Sequence, residues 1–172
     1  MSSVRLTRDA DAHLLGPIEM SAGALFRALP DLAWVADHGA TPEARHRELI
    51  AAGASWVAVD ERGAPVGFLA AERFGADLHI WEVAVAAASQ LQGHGGRLLA
   101  ACIAYARAAG LAAVTLTTFR DVAWNAPVYR AMGFCVLAGE DIGPRLAAVL
   151  RAEVADGLPG DRRCAMRLTL AP

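Results

Sequence analysis

The sequence predicts an α/β (α+β) fold, with a mixed, mostly antiparallel central sheet of about seven strands and helices on both faces. Two observations carry this prediction. Strand-like segments follow one another in the first half of the chain, and they alternate with helical segments in the second half. The 172 residues, 55% of them hydrophobic, suffice for one proper core. We therefore expect a single domain over residues 1–172.

The first half contains four strands and two helices. The expected elements are a strand over 4–7, a helix from Asp9 to about Phe26, a polar loop over 28–42, a helix over 42–52, and strands over 55–60, 65–72 and 77–85. Thr41 is expected to cap the second helix, with Pro42 as its first helical residue. Residues 61–63, Glu-Arg-Gly, predict a hairpin turn.

The second half alternates helices with strands. A helix follows Gly95, because apolar residues recur at the helical period: Leu98, Leu99, Cys102, Ile103 and Ala106. The remaining expected elements are a strand over 112–119, a short helix over 125–132, a strand over 134–138, a helix over 144–155 and a strand over 164–170. Pro127 is tolerated only in the first turn of its helix.

Charge and cysteine usage narrow the partners. The net charge is −2 without a block of like charges, so we expect neither nucleic acid nor a membrane surface as a partner. The start lacks the apolar segment of a signal peptide and no window approaches a membrane span, which favours the cytoplasm. Cys102, Cys135 and Cys164 are widely spaced and are interpreted as small buried residues of a reducing compartment. No metal site is expected.

A glycine-rich stretch precedes the central helix. Residues 90–95, Gln-Leu-Gln-Gly-His-Gly, fit the pattern Q/R-x-x-G-x-G/A and fit neither the P-loop nor the dinucleotide fingerprint. Helix N-termini offer unpaired N–H groups and partial positive charge, and glycines let a ligand approach the backbone. The stretch therefore predicts a phosphate-binding turn. A strand-to-helix turn without a ligand is the alternative.

A second motif follows one helix and one strand later. Residues 126–134, "APVYRAMGF", end in the pattern Y-x-x-x-G-F. The two motifs, in this order, resemble the GNAT superfamily of acyl-CoA-dependent N-acyltransferases, and the match covers residues 66–138 well. The resemblance implies acetyl-CoA as cosubstrate and an amine as acceptor, and it leaves a homodimer open.

The resemblance also implies how coenzyme A is held. Backbone N–H groups of residues 91–96 would bind the pyrophosphate, Gln90 would close the turn, and Arg97 would add charge or simply be solvated. Val83 and Val85 would bond the pantetheine arm through their backbones, between parallel strands that splay apart. The implied cofactor-binding residues are Val83, Val85, Gln90, Leu91, Gln92, Gly93, His94, Gly95, Gly96, Arg97, Asn125 and Tyr129.

Tyr129 occupies the position of the family's general-acid tyrosine. A phenol is a reasonable proton donor to the departing thiolate. Many family members carry asparagine seven residues earlier, where this chain has Val122. Asn125 is interpreted mainly as a helix cap.

The base that takes the amine proton has two candidates on one strand. A period of two puts His79, Trp81, Val83 and Val85 on one face and Glu82 on the other. His79 lies where several family members carry a proton-relaying residue, and histidine titrates near neutrality. Glu82 is the second choice, and ordered water alone is the third.

Acceptor recognition is expected in the loop over 28–42. Trp34 and Asp37 there, with Trp81 on the strand, are the candidate substrate-binding residues, since carboxylates attract a cationic amine and tryptophan stacks on it. The leading function is acetylation of a primary amine of a small molecule. The alternatives are acetylation of a protein or peptide amine, and a non-catalytic acyl-CoA-binding domain.

Overall fold

A computed structural model describes residues 3–170 of the chain. The strands are β1 (Ser3–Leu6), β2 (Ser55–Val59), β3 (Pro65–Phe74), β4 (Asp77–Val85), β5 (Ala113–Phe119), β6 (Cys135–Val136) and β7 (Arg163–Thr169). The α-helices are α1 (Ala12–Gly23), α2 (Glu43–Ala51), α3 (His94–Ala108), α4 (Ala126–Ala131) and α5 (Gly143–Ala155). Shorter 3-10 helices cover Asp9–Asp11, Ala24–Ala28, Pro30–Asp37, Ala87–Ser89, Gly139–Ile142 and Gly160–Arg162.

The strands form one seven-stranded sheet in the order β1-β2-β3-β4-β5-β7-β6. Strand β4 pairs parallel with β5, from Asp77 opposite Ala113 to Ile80 opposite Leu116. The β1–β2, β2–β3, β5–β7 and β6–β7 pairs are antiparallel. The predicted fold class, a mostly antiparallel mixed sheet with helices, is confirmed.

The described chain divides into two compact units. The first comprises residues 3–72 and 81–105, and the second comprises residues 73–80 and 106–170. The expectation of one domain over residues 1–172 stays a prediction.

The first unit packs helices on both sides of its strands. Its core joins Leu15 and Ile18 of α1 and Leu49 of α2 to inward side chains of the sheet: Val57, Val59, Phe68, Ala70 and Ala84. On the opposite face of β2, Trp56 meets Tyr105 of α3 edge to face, with ring centroids 5.4 Å apart. This arrangement follows from the period of two along β2, which sends Trp56 and Val57 to opposite faces.

The second unit is tied together by charged side chains of α5. Glu153 accepts hydrogen bonds from Arg163 of β7 at 2.8 and 2.9 Å and from the Thr117 hydroxyl of β5. The Arg163 guanidinium also lies 4.7 Å from the centre of the Phe119 ring. The glutamate thus links α5 to two neighbouring strands.

Four local predictions differ from the structure. The loop over 28–42 is partly helical, since residues Pro30–Asp37 form a 3-10 helix. Helix α2 begins at Glu43 with Pro42 at the N-cap, because the Thr41 hydroxyl bonds Glu19 at 3.2 Å instead of capping. Strand β6 has only two residues. Cys135 is exposed, whereas Cys102 and Cys164 are buried as expected.

Candidate functional site

The glycine-rich turn, residues 90–93 just before α3, has a backbone that only glycine adopts easily. Gly93 has a φ of +79°, and Leu91 has a φ of +60° with its side chain fully exposed. A leucine in the left-handed region costs free energy of the order of 1 kcal/mol, and such strain is concentrated at functional sites. The turn ends where α3 begins, with the Arg97 amide donating to the Gly93 carbonyl at 3.1 Å.

The next two glycines are not required by the fold. A Cβ on Gly95 would meet nothing closer than Val85 Cγ2 at 4.0 Å, and a Cβ on Gly96 would meet nothing within 4 Å. Both lie in the first turn of α3, where alanine would stabilise the helix by about 0.5–1 kcal/mol. Bare backbone here leaves room for a ligand beside N–H groups that have no partner within the helix. The turn therefore fits an anion such as a pyrophosphate.

Side chains brace this turn. The Gln90 amide donates to the Val85 carbonyl at 3.0 Å, and Arg97 donates to the Gln92 carbonyl at 2.9 Å. His94 is buried, and burial, with Arg97 nearby, lowers its pKa. Its imidazole is therefore a neutral packing group at the helix start.

The end of β4 presents backbone groups to the side away from β3. The Ala86 amide donates to the Val66 carbonyl at 2.9 Å, so the backbone groups of Val85 point to the opposite edge. The Gln90 side chain already occupies the Val85 carbonyl there. The same alternation directs the Val83 backbone to this edge.

A cavity of about 160 Å³ lies beside α2, and we call it the α2 cavity. Its lining comes from α2, the segment before it, β3 and β4: Thr41, Arg45, His46, Leu49, Ala70, Trp81 and Glu82. Arg45 donates to Glu48 at 2.9 Å and to Glu72, and Glu72 also accepts from the Trp81 indole at 2.8 Å. Hydrogen bonds from Glu48 and Glu72 raise the pKa of Arg45, so its guanidinium stays charged.

The predicted alternation along β4 breaks at Trp81 and Glu82. These neighbours both line the α2 cavity, and Ala84 also joins the core that packs against α1 and α2. A regular strand sends residues 81 and 82 to opposite faces, and likewise residues 81 and 84. An irregularity of the bulge type therefore brings Glu82 to the same cavity as Trp81, against the sequence expectation.

His79 lies in the interior of the second unit. It is 0% exposed, and its Nδ1 atom is 3.0 Å from the hydroxyl of Thr115, which also accepts from Arg145. Burial first, and Arg145 second, lower the pKa of His79 to about 3. The imidazole is therefore neutral at physiological pH and is a weak proton acceptor.

Tyr129 lies on α4, also in the second unit. Its ring meets Phe134 edge to face at 5.8 Å, and its carbonyl accepts from the Phe134 amide at 3.1 Å. Asn125 occupies the N-cap position without a capping side-chain bond, so the expected cap is wrong. The Asn125 carbonyl instead accepts from the amides of Val128 and Tyr129.

The two loop candidates for acceptor binding do not line the α2 cavity. Asp37 pairs with Arg27 at 2.8 Å, and Trp34 meets His38 edge to face at 5.4 Å. Of the three predicted substrate-binding residues, the cavity lining contains Trp81 alone.

The residues that α2 contributes to the cavity were not predicted from the sequence. His46 precedes Leu49 by three positions, so both share one face of α2, and both are buried. This helical spacing was the available signal, since a histidine on a buried helix face needs a partner or a function.

Membrane-spanning helices and metal-binding groups were sought in residues 3–170. Over that range no helix is long and apolar enough to cross a membrane. The same residues contain no group of three or more His, Cys, Asp or Glu side chains that could hold a metal ion.

A comparison with protein families identifies the class. The model of the acetyltransferase (GNAT) family matches residues 25–134, which is more than half of the chain. The chain therefore belongs to the acetyltransferase (GNAT) family, and membership implies acyltransferase activity.

Solved structures share the fold at low sequence identity. PaiA N-acetyltransferase from Thermoplasma acidophilum, in complex with coenzyme A, matches with a TM-score of 0.72, 12% identity and 99% coverage of both chains. The ribosomal-protein-S18-alanine N-acetyltransferase from Escherichia coli matches with a TM-score of 0.70, 17% identity and coverage of 100% of this chain and 96% of that one.

A third solved structure contains an acetylated amino acid. N-acetylglutamate synthase from Neisseria gonorrhoeae, complexed with coenzyme A and N-acetyl-glutamate, matches with a TM-score of 0.71 and 18% identity, covering 100% of this chain and 36% of that one. One structural relative is thus named for a protein acceptor and another for an amino-acid product. The fold alone does not select the acceptor.

Proposed function

We propose that this protein transfers an acetyl group from acetyl-CoA to a primary amine of a small molecule, by direct attack in a ternary complex. The observation that carries the proposal is the room beside Gly95 and Gly96 at the start of α3. The family match, over residues 25–134, gives the reaction class. Bound acetyl-CoA supplies the activated acyl group, whose thioester carbonyl the amine attacks with loss of the thiol.

The first unit would hold the cosubstrate through its backbone. N–H groups of residues 91–96 would bind the pyrophosphate, and Arg97 would keep the turn in shape through its bond to the Gln92 carbonyl. The Val83 and Val85 backbones would bond the pantetheine arm as another strand would. The N–H of Val85, which points away from β3, would stabilise negative charge on the thioester oxygen.

We assign the base to Glu82 and the acid to Tyr129. Glu82 lines the α2 cavity and lies three residues before Val85, about 10 Å along the strand, so the proton would reach its carboxylate through ordered water. His79 is the weaker candidate, because complete burial lowers its pKa to about 3. The Tyr129 phenol would protonate the leaving thiolate.

The α2 cavity is proposed as the acceptor site. Its volume of about 160 Å³ suits a small molecule better than a peptide strand, which supports the small-molecule reading over protein acetylation. We also propose a cytoplasmic location, supported by the three free cysteines.

The test is calorimetric titration of CoA into wild type, Gly95→Gln and Gly95→Glu. The two variants have side chains of equal size, and the Cβ of either would meet nothing closer than Val85 Cγ2 at 4.0 Å. We expect Gly95→Gln to weaken CoA binding and Gly95→Glu to abolish it, since the added carboxylate would face the pyrophosphate. The glutamate should leave the melting temperature unchanged or raised, because a negative charge stabilises a helix N-terminus.

Gly16→Ala is the matched control. Gly16 is also helical, and its added Cβ would make only an ordinary contact of 3.7 Å with Ala40. This variant should keep the CoA affinity of wild type. Wild-type CoA affinity in Gly95→Glu would refute the phosphate site.

A further inference from the structure

His46 is a buried polar side chain with unused hydrogen-bonding capacity. It is 1% exposed, it lines the α2 cavity, and among the described residues neither ring nitrogen has a hydrogen-bond partner. Its ring packs edge to face on Phe68, with centroids 5.2 Å apart. Leaving a buried polar group unsatisfied destabilises a protein, so such a group calls for a ligand or a function.

A carboxylate beside His46 determines which ring nitrogen can accept a hydrogen bond. Glu19 Oε2 is 3.7 Å from His46 Nε2, and Glu19 is fixed by the Thr41 amide at 3.0 Å and the Thr41 hydroxyl at 3.2 Å. The negative carboxylate favours the tautomer that carries its proton on Nε2, and Nδ1 is then an acceptor. An acceptor nitrogen suits an ammonium or amine N–H.

The charges around the α2 cavity are predominantly negative. The one guanidinium, Arg45, is bound to two carboxylates, Glu48 and Glu72, and Glu82 adds a third in the lining itself. The cavity region therefore carries excess negative charge even with Arg45 fully ionised. A ligand carboxylate would meet repulsion there, and a ligand cation would meet attraction.

Apart from Thr41, the remaining lining is apolar. Leu49, Ala70 and the Trp81 ring would pack the body of a small hydrocarbon or aryl group. Because His46 is almost fully covered, an amine substrate reaches it only when the outer side chains of the cavity shift. These outer side chains are Arg45, whose side chain is 36% exposed, and Trp81, which is 39% exposed as a whole residue.

Resting on the proposed function, we propose that the α2 cavity selects small cationic amines with an apolar body and no carboxylate, and that His46 is the specificity-determining residue that accepts a hydrogen bond from them. The α-amino acids, which carry a carboxylate next to the amine, are then poor acceptors.

The charge arm of the test compares 2-phenylethylamine with L-phenylalanine, which differ by the carboxylate. We expect 2-phenylethylamine to bind in the calorimeter and to give a kcat/KM at least about tenfold higher. Glu82→Gln should weaken amine binding, whereas Glu61→Gln, in the exposed hairpin turn, should not. Equal or tighter binding of L-phenylalanine, or no binding of the amine, overturns the inference.

The His46 arm uses His46→Leu and His46→Gln. Leucine removes a buried group without a hydrogen-bond partner, so its melting temperature should equal or exceed that of wild type. Its KM for 2-phenylethylamine should rise about tenfold with CoA affinity unchanged, and glutamine should restore part of that loss. An unchanged KM, or a His46→Leu protein that melts earlier or fails to fold, overturns the role of His46.

Binding and turnover separate this inference from the function on which it rests. If 2-phenylethylamine binds with the stated preference but no thiol is released, the proposed acetyl transfer fails and the selectivity stands. If amines and amino acids are acetylated equally, the proposed transfer stands and the selectivity fails.

Discussion

The two parts of strand β4 differ in what surrounds them. Residues 77–80 belong to the second unit and pair with β5, and His79 there is fully buried beside Thr115. Residues 81–85 belong to the first unit, line the α2 cavity with Trp81 and Glu82, and lead into the glycine-rich turn. Burial, rather than residue type, therefore decides which titratable group on a strand can exchange protons.

The physical difference is solvation. Transfer of an imidazolium out of water is unfavourable, which lowers the pKa of His79 to about 3. The imidazole therefore stays neutral until the pH falls to about that value. Glu82 is only half-buried at the wall of the α2 cavity, so water reaches its carboxylate. We therefore expect chemistry from the second part of β4 and packing from the first.

The largest expected effect comes from exchanging the two candidate bases. Glu82→Gln should lower kcat/KM by ~10²–10⁴-fold at neutral pH and remove the acidic limb of the pH profile, since a general base must be deprotonated. His79→Gln should keep that limb. The measurement is free-thiol release from acetyl-CoA across the pH range, with saturating cosubstrate.

The opposite outcome would reverse the comparison. If His79→Gln loses the acidic limb and Glu82→Gln keeps it, the first part of β4 carries the base. If both variants retain the wild-type profile, the proton leaves through water.

A smaller effect tests whether the second unit contributes chemistry through Tyr129. Tyr129→Phe should lower kcat by about 10²-fold, because the phenol no longer protonates the leaving thiolate. The effect is at the low end for acid catalysis, since a thiolate can leave without full protonation. CoA affinity should be unchanged, since only the late proton transfer is affected. Steady-state kinetics and calorimetry measure the two quantities separately.

Tyr105→Phe is the control, since Tyr105 is the other tyrosine of the chain and packs on Trp56. It should keep the wild-type kcat. A large loss of CoA affinity in Tyr129→Phe would make Tyr129 a binding residue instead.

The smallest expected effect is on stability in acid. Because the folded-state pKa of His79 is depressed, the unfolded chain binds one more proton between pH 6.5 and about 3. The free energy of unfolding therefore decreases as the pH falls below 6.5, by up to about 1.4 kcal/mol per pH unit, and His79 adds no pH dependence above pH 6.5. His79→Gln should remove that part of the slope, as measured by urea unfolding between pH 4 and 7.

His13→Gln, at an exposed histidine of α1, should retain the wild-type slope. If the slopes of wild type and His79→Gln coincide, His79 is solvated in solution and returns as a candidate base.

The glycine-rich turn shows what could be predicted from local sequence. A left-handed turn and a helix start depend on the few residues that form them, so the pattern over 90–95 located the turn. The helix expected after Gly95 begins slightly earlier, at His94. The sheet was predictable for the same reason, because periods of two and 3.6 are local properties of the chain. The predicted side-chain caps at Thr41 and Asn125 were wrong. The Thr41 hydroxyl bonds the distant Glu19 instead, and the Asn125 side chain makes no capping hydrogen bond.

By itself, the sequence determined the fold class, the glycine-rich turn and the position of Tyr129, since each follows from short-range patterns. Only the tertiary structure decided that His79 is buried beside Thr115, that Glu82 shares a cavity with Trp81, and that His46 lies 3.7 Å from Glu19. Burial and proximity between residues 27 or 36 positions apart depend on how distant segments pack. A pKa, a cavity wall and a candidate acceptor site depend on that packing, so no local pattern of residues determines them.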